Sequence, residues 1–283
     1  MKRAWVVALV AGLAGGAVAA EPDDLDRTLA RLSRVAELYR DAALGFACQE
    51  TIVYKGAKTG RIQFAYLFVR DDDGRLRDFR TWTTGTTAAR RGQEVNPLDY
   101  HVPRFLESAY LWAFVFRQDR QPLHRFTLLG AGEALGRPAW RIKFVPVPPV
   151  RAGVNDWAGF AWIDRESSQV LRFETYSVED WNAKARLDAD VESAPRRDPH
   201  EDSEVYGIER IVTDFGYQKN GMRFPSHVEI AATRSTVAFG AKDDPLRERV
   251  VQTVTQDYTK FEFFSIRTSE EISSFVDGRA RLP

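Results

Sequence analysis

The apolar positions near the start of the chain recur at a helical spacing. Between residues 23 and 43 they fall three and four positions apart, with arginine and aspartate between them: Leu25, Leu29, Leu32, Val35, Ala36, Leu38, Tyr39 and Ala42. The first turn carries Asp23, Asp24 and Asp26, which suit the positive end of a helix dipole. The pattern predicts one amphipathic helix over 23–43, whose apolar stripe covers another part of the protein.

Most of the remaining chain has the composition and punctuation of β-strands. Segments rich in β-branched and aromatic residues predict strands over 46–55, 61–70, 75–83, 123–131, 138–147, 158–165, 169–178, 205–218, 222–235 and 246–258, with a shorter one over 260–266. Turn residues at 71–74, 132–136, 165–168 and Asn220-Gly221 predict tight hairpins. Strands joined this tightly run antiparallel, so we expect a mainly β (α+β) fold of about 10–11 strands with an N-terminal helix and one or two further helices.

Three segments depart from this pattern. Residues 103–116 are densely apolar and long enough to predict a buried second helix. Residues 85–102 contain few apolar side chains and predict irregular structure. Residues 182–204 contain Pro195, Pro199 and many charged side chains. We interpret them as a mobile charged loop that leaves one continuous sheet and returns to it.

Several predicted strands are apolar on both faces, whereas an ordinary antiparallel sheet buries one face and alternates apolar with polar residues. In 61–70, Phe64, Tyr66 and Phe68 share one face, while Ala65, Leu67 and Val69 share the other. Two interpretations are open. The sheet closes or packs so that both faces are buried, or it curves around an apolar cavity that receives a ligand.

The N-terminus has the organisation of an export signal. Lys2 and Arg3 precede an apolar run over 4–13, and small residues end at Ala19 and Ala20. The apolar run is too short to span a bilayer, and no later segment approaches the roughly 18–20 apolar residues that a spanning helix requires. We therefore expect cleavage after Ala19 or Ala20, a mature single domain over 21–283 without a transmembrane segment, and a periplasmic location.

Composition excludes several classes of function. Lysine plus arginine and aspartate plus glutamate number 40 each, which gives no support to a nucleic-acid binder or a polybasic membrane adaptor. The single cysteine, Cys48, excludes an intramolecular disulfide framework, and we expect it to be a buried, inert thiol. The four histidines lack zinc-site spacing, and no nucleophile elbow, phosphate loop or dinucleotide motif is present. We therefore predict no metal, no cofactor and no enzymatic activity.

Two stretches resemble a known family. Residues 136–146 (GRPAWRIKFVP) followed by 159–174, with Trp162-Ile163-Asp164, resemble the central hairpins of periplasmic lipoprotein-carrier proteins of the LolA/LolB type. Residues 214–226 are similar to a strand-turn element of the same superfamily. The resemblance implies a curved antiparallel half-barrel whose concave face is covered by helices, with an apolar cavity that accepts acyl chains.

The leading hypothesis is a binding protein that holds an acyl chain, a lipoprotein or another apolar ligand in the concave face. The predicted ligand-binding residues are Phe64, Tyr66, Phe68, Trp140, Phe144, Trp162 and Phe173. One alternative is an envelope interaction module, without a lipid ligand, that presents 85–102 and 182–204 to another protein. A weaker alternative is an exported hydrolase, because a pair of carboxylates needs only spatial proximity. We expect a monomer.

Overall fold

The computed structural model describes residues 22–42, 45–57, 59–70, 76–83, 115–198, 201, 203–241 and 245–263. The predicted export signal, the turn at 71–74, the irregular segment 85–102 and most of the predicted helix over 103–116 lie outside these residues. Its last two residues, Val115 and Phe116, form part of a turn.

Two α-helices, two short 3₁₀ helices (Gln121–Leu123 and Ala194–Arg196) and twelve strands make up the described fold. The α-helices are α1 (Pro22–Ala42) and α2 (Val178–Ser193). The strands are β1 (Gly45–Lys55), β2 (Gly60–Arg70), β3 (Leu76–Trp82), β4 (His124–Ala134), β5 (Arg137–Pro146), β6 (Trp157–Asp164), β7 (Val170–Ser177), β8 (Glu204–Asp214), β9 (Tyr217–Lys219), β10 (Met222–Phe224), β11 (His227–Val237) and β12 (Leu246–Phe263).

Ten of these strands form one antiparallel sheet that is not closed into a barrel. Their order is β3-β2-β1-β12-β11-β8-β7-β6-β5-β4, and β9 and β10 form a separate hairpin. Side chains from β2, near one edge, and β5, near the other, belong to one buried cluster with α1. The sheet is a half-barrel curved around that cluster, and we call its cluster side the inner face. The predicted fold class is confirmed.

The strand boundaries differ from the sequence prediction in three places. The predicted strand over 205–218 is divided into β8 and β9, and the strand over 222–235 is divided into β10 and β11. The second division falls at Pro225, which has no N–H to donate to a sheet. The two strands predicted over 246–258 and 260–266 are instead a single strand, β12, through Phe263.

The β9–β10 hairpin folds over the inner face. Its turn is Asn220-Gly221, and both residues have positive φ, 48° and 78°, as a type I′ turn requires. Phe224 packs edge-on against Phe46 of β1 at 6.1 Å between ring centroids. Tyr217 stacks on Phe261 of β12 at 4.3 Å. The strongest predicted turn in the sequence therefore directs a short hairpin into the core.

The prediction of a charged loop over 182–204 is wrong for residues 182–193, which form most of α2. The Ser177 hydroxyl accepts a hydrogen bond from the Asp180 amide and caps the helix. Ala183 and Leu187 are buried, and Leu187 packs with Ala194, Val237 and Phe239 on the outer face. A narrow apolar stripe anchors a helix that is otherwise charged, and the sequence interpretation gave weight to the charges alone.

Candidate functional site: the inner face of the half-barrel

Six of the seven predicted ligand-binding residues lie on the inner face. Phe64, Tyr66, Phe68, Phe144 and Phe173 are fully buried in the cluster, and Trp140 is partly buried against it. Trp162 lies on the outer face, where it is paired in register with Arg141 and packs near Ala134, Ala139 and Leu171. The structure therefore brings six of these side chains to one surface and does not bring Trp162 to it.

The aromatic side chains of the inner face form two groups of contacting rings. Near β1 and β12, Phe46 lies 5.5 Å from Phe68 and 5.4 Å from Phe261. Near β4 to β7, Phe116 stacks on Phe173 at 6.2 Å and lies 5.6 Å from Phe126. Where these rings meet, the inner face is filled by the protein's own side chains, so a ligand at these positions must displace part of the covering structure.

Helix α1 is one described part of that covering structure. Its buried apolar residues are Leu29, Leu32, Val35, Ala36, Leu38 and Tyr39, which belong to the same cluster as the sheet aromatics. Two hydrogen bonds join α1 to other described elements: the Tyr39 hydroxyl donates to the Arg223 carbonyl, and the Gln121 amide donates to the Leu29 carbonyl at 3.1 Å. Of the eight described side chains of α1 that are buried, six are apolar, and apolar contact is not directional.

A buried ion pair interrupts the apolar surface on the β1–β3 side. Arg80 of β3 donates from Nε and Nη2 to the Glu50 carboxylate of β1 at 2.5 and 3.0 Å. The two side chains are 9% and 0% exposed. The Tyr258 hydroxyl donates to Glu50 Oε1 at 2.9 Å, and the Arg80 guanidinium lies 4.9 Å from the Tyr66 ring centre. This network satisfies both charges and holds β1, β3 and β12 together at the inner face.

The network changes the acid–base behaviour of its members. Burial by itself would lower the pKa of Arg80. The charge and hydrogen bonds of Glu50 raise that pKa by more than burial lowers it, so Arg80 stays charged. Burial, and then the charge of Glu50, raises the pKa of Tyr258 well above its ordinary value. Burial and Glu50 also raise the pKa of the Cys48 thiol. Cys48 is therefore a buried thiol that stays protonated, not an activated nucleophile.

Sequence reasoning missed this network although a signal was present. Residues 46, 48, 50 and 52 of β1 all lie on the buried face. Glu50 therefore occupies an inward position in the alternation. A charged residue at such a position needs an opposite charge nearby. Strand parity alone could have marked Glu50, but only the register across β2 identifies Arg80 as its partner.

Two polar atoms of the inner face have no hydrogen-bond partner. They are Nε2 of His124 and Oγ1 of Thr213, both buried. His124 packs against Phe126 and Phe144 at 6.0 and 6.3 Å between ring centres. Burial lowers the pKa of His124, so the ring is neutral at neutral pH. These two atoms can therefore form hydrogen bonds with a polar group that enters the inner face.

Within the described residues, no group of three or more His, Cys, Asp or Glu side chains is placed to hold a metal ion. Neither α1 nor α2 combines the length and the apolar character needed to cross a bilayer.

Comparison with known proteins gives matches at the level of structure. No protein-family model matches the sequence, and the search of curated proteins gives no match. A DUF1329 family protein from Desulfovibrio piger is similar with a TM-score of 0.45 and 9% identity, over 87% of this chain and 94% of that chain. A LolA superfamily protein from Nitrosomonas europaea is similar with a TM-score of 0.41 and 10% identity, over 83% and 93% of the two chains.

A third structure, a putative outer membrane lipoprotein-sorting protein domain from Vibrio parahaemolyticus, is similar with a TM-score of 0.40 and 8% identity, over 86% and 95% of the two chains. Two of the three descriptions name the class of carrier that the sequence resembles. At these identities and TM-scores the matches carry no argument about ligand or activity, which must come from the residues of the inner face.

Proposed function

We propose that the protein is a non-enzymatic carrier of the bacterial periplasm that binds an acyl chain, free or attached to a lipoprotein, on the inner face of its half-barrel. The observation that carries the proposal is an aromatic sheet face covered by an amphipathic helix whose buried side chains are mainly apolar. An acyl chain can replace the contacts of those side chains with contacts of the same kind, at about 25 cal/mol for each Å² of apolar surface it buries.

The ligand site of this proposal consists of Phe64, Tyr66, Phe68, Trp140, Phe144 and Phe173, without Trp162. His124 of β4 and Thr213 of β8, which lie four strands apart, each give the apolar face one hydrogen-bonding atom, and either one is a site for the polar end of the ligand. In this proposal, the first 20 residues direct export of the protein. The mature chain, residues 21–283, then acts as a monomer. The alternative of an interaction module that presents 182–204 has less support, because most of that segment packs on the outer face as α2.

The first test is to extract the exported chain, purified from the periplasm of an expression host, with organic solvent and to identify bound lipids by mass spectrometry. The second adds a spin-labelled long-chain fatty acid, which quenches tryptophan at short range. Trp82 lies on the inner face, 5.0 Å from Phe64, and Trp181 lies on the outer face, 5.6 Å from Phe160. They are a matched pair of reporters.

We expect the Trp82→Phe variant to lose part of the quenchable fluorescence and the Trp181→Phe variant to keep all of it. Absence of lipid in the extract together with absence of quenching would overturn the proposal. Equal losses in the two variants would place the ligand outside the inner face.

A further inference from the structure

Three strands extend beyond the rest of the sheet. Strand β7 is paired with β8 only along residues 211–214, and β1 is paired with β12 only from Thr253 onward. Residues 204–209, 232–237 and 246–252 therefore pair only among themselves. We call them the three-strand extension. Helix α2 packs on its outer face, with Leu187 and Val191 near Tyr206, Ile208, Val237 and Leu246.

The inner face of the three-strand extension is exposed and positively charged. By strand parity it carries Val205, Gly207 and Glu209 of β8, Arg234 of β11, and Arg247 and Arg249 of β12. All of these residues are exposed. Within the described part of the chain, the three arginines make no recorded ion pair or hydrogen bond. Three positive charges thus face solvent beside one negative charge, in a chain whose total charge is zero.

The arrangement of the arginines costs stability. Arg234 is directly opposite Arg249 in the β11–β12 register, and Arg247 lies two residues along the same strand face. Like charges directly opposite on a sheet repel each other and destabilise it. Protection of a sheet edge by charged side chains explains Arg247 and Arg249, because β12 is the edge of the extension. It does not explain Arg234, because β11 is the central strand.

Apolar side chains flank the arginines. Val205 is 51% exposed, and Val251, at the bulge of β12 beside Arg234, is 45% exposed. An open groove of about 390 Å³ lies beside Arg234 and is lined by Gly207, Glu209, Ala232 and Val251, with Asp180 at its side. Exposed valines beside unpaired arginines are suited to a binding partner whose surface has an anionic outer layer and an apolar layer beneath it.

We propose that the inner face of the three-strand extension binds the surface of a bilayer that contains anionic phospholipids. Arginines on an extended strand face match a diffuse sheet of phosphate charge, which attracts each basic residue near it. The valines enter the interfacial region once the arginines have approached. The near-zero net charge of the whole chain gave no support to a polybasic adaptor, but the attraction proposed here is local, since it needs only the three arginines on one face.

The test is co-flotation of the exported chain with vesicles of phosphatidylcholine alone or of phosphatidylcholine mixed with phosphatidylglycerol. The test variant is Arg234→Gln/Arg247→Gln/Arg249→Gln. The control variant is Arg61→Gln/Arg125→Gln/Arg151→Gln, which removes the same charge from exposed positions elsewhere. Quenching by the spin-labelled fatty acid is measured in parallel, so that failure of bilayer binding and failure of the proposed acyl site give different results.

We expect wild type and the control variant to float with the anionic vesicles only, and added salt to weaken that binding. At about fivefold for each arginine, the test variant should bind roughly a hundredfold more weakly. It should still bind the fatty acid, and it should melt at the same temperature as wild type or higher, because the repulsion between Arg234 and Arg249 is gone.

Equal flotation of the test variant and wild type would overturn the proposal, and so would failure of wild type to bind anionic vesicles. In the second case, binding of a synthetic oligoglutamate peptide by wild type and not by the test variant would assign the surface to an acidic protein segment instead.

Discussion

The two helices cover opposite faces of one sheet by different means. Six buried apolar residues attach α1 to the inner face, with hydrogen bonds from Tyr39 to the Arg223 carbonyl and from Gln121 to the Leu29 carbonyl. Helix α2 buries only Ala183 and Leu187, with Val191 partly buried beside them. It also makes polar and aromatic contacts: Asp190 accepts hydrogen bonds from Arg197 and Tyr206, and Lys143 lies 5.3 Å from the Trp181 ring centre.

From this difference we infer that α1 is a cover that a ligand can displace, whereas α2 is a fixed cover. Apolar contacts have no preferred direction, so a flexible acyl chain can replace those of α1. Hydrogen bonds and ion pairs require partners at defined positions, so no acyl chain can replace those of α2. Under the proposed function, the inner face is the side on which a ligand enters, and α2 holds the outer face of β6, β7, β8 and β11 in place.

The largest expected difference between the two faces lies in their ion pairs. Arg80→Ala leaves the Glu50 carboxylate buried without its partner, which should lower the free energy of unfolding by about 3–5 kcal/mol. Arg172→Ala removes a pair with Asp214 on the outer face, where the arginine is 36% exposed, and should cost about 0–1 kcal/mol. Urea unfolding measures both, and equal losses would contradict the contrast between the faces.

A matched pair of leucines distinguishes the two helices. Leu32 of α1 and Leu187 of α2 are both buried, so replacement of either by alanine should cost about 2–5 kcal/mol. Leu32→Ala weakens the cover of the inner face and raises the population of molecules open to ligand. It should therefore bind fatty acid more tightly. Leu187→Ala should leave that affinity unchanged. Titration by tryptophan quenching measures both, and a reversed order would count against α1 as the exchangeable cover.

Removal of the cap of α2 should have a smaller effect. Ser177→Ala deletes the hydroxyl that accepts from the Asp180 amide and should lower the free energy of unfolding by about 1 kcal/mol. Fatty-acid affinity should not change, because the cap lies on the fixed cover. Ser177→Thr keeps a hydroxyl that accepts from the Asp180 amide and donates to the Asp180 carboxylate, so it serves as the control and should recover most of the loss. A change in affinity with Ser177→Ala would show that α2 contributes to the ligand site.

The smallest expected effect depends on pH. Because burial holds the pKa of His124 below its ordinary value, the unfolded chain takes up a proton at higher pH than the folded chain does. The free energy of unfolding should therefore fall as the pH decreases below about 6.5, the ordinary pKa of histidine. Thermal unfolding across this range should show a shallower decline for His124→Gln than for wild type.

The sequence was sufficient for the elements whose pattern is local. The three-and-four spacing predicted α1 within one residue at each end, and the Asn220-Gly221 turn was correctly placed between two strands. Helix α2 was missed because its stripe is narrow and its charges resemble those of a solvated loop. Its stability comes from contacts with Val237 and Phe239, which are distant in the sequence.

The candidate site was predicted only in part, because face assignment depends on register between strands. Phe64, Tyr66 and Phe68 share one strand, so parity alone keeps them together. The prediction grouped Trp162 with Trp140. In the structure Trp162 is paired with Arg141, the residue after Trp140, and therefore lies on the opposite face from Trp140. The same limitation hid the Glu50–Arg80 pair, whose members are 30 residues apart.

Hydrogen exchange of the exported chain, with and without a long-chain fatty acid, tests the exchangeable cover most directly. A helix that loses its packing partner is only marginally stable in water, so displaced α1 should exchange its amide protons faster. The account predicts faster exchange in residues 22–42 when fatty acid is bound and unchanged exchange in residues 178–193. Bound fatty acid with no change in residues 22–42, or with equal change in both helices, would contradict it.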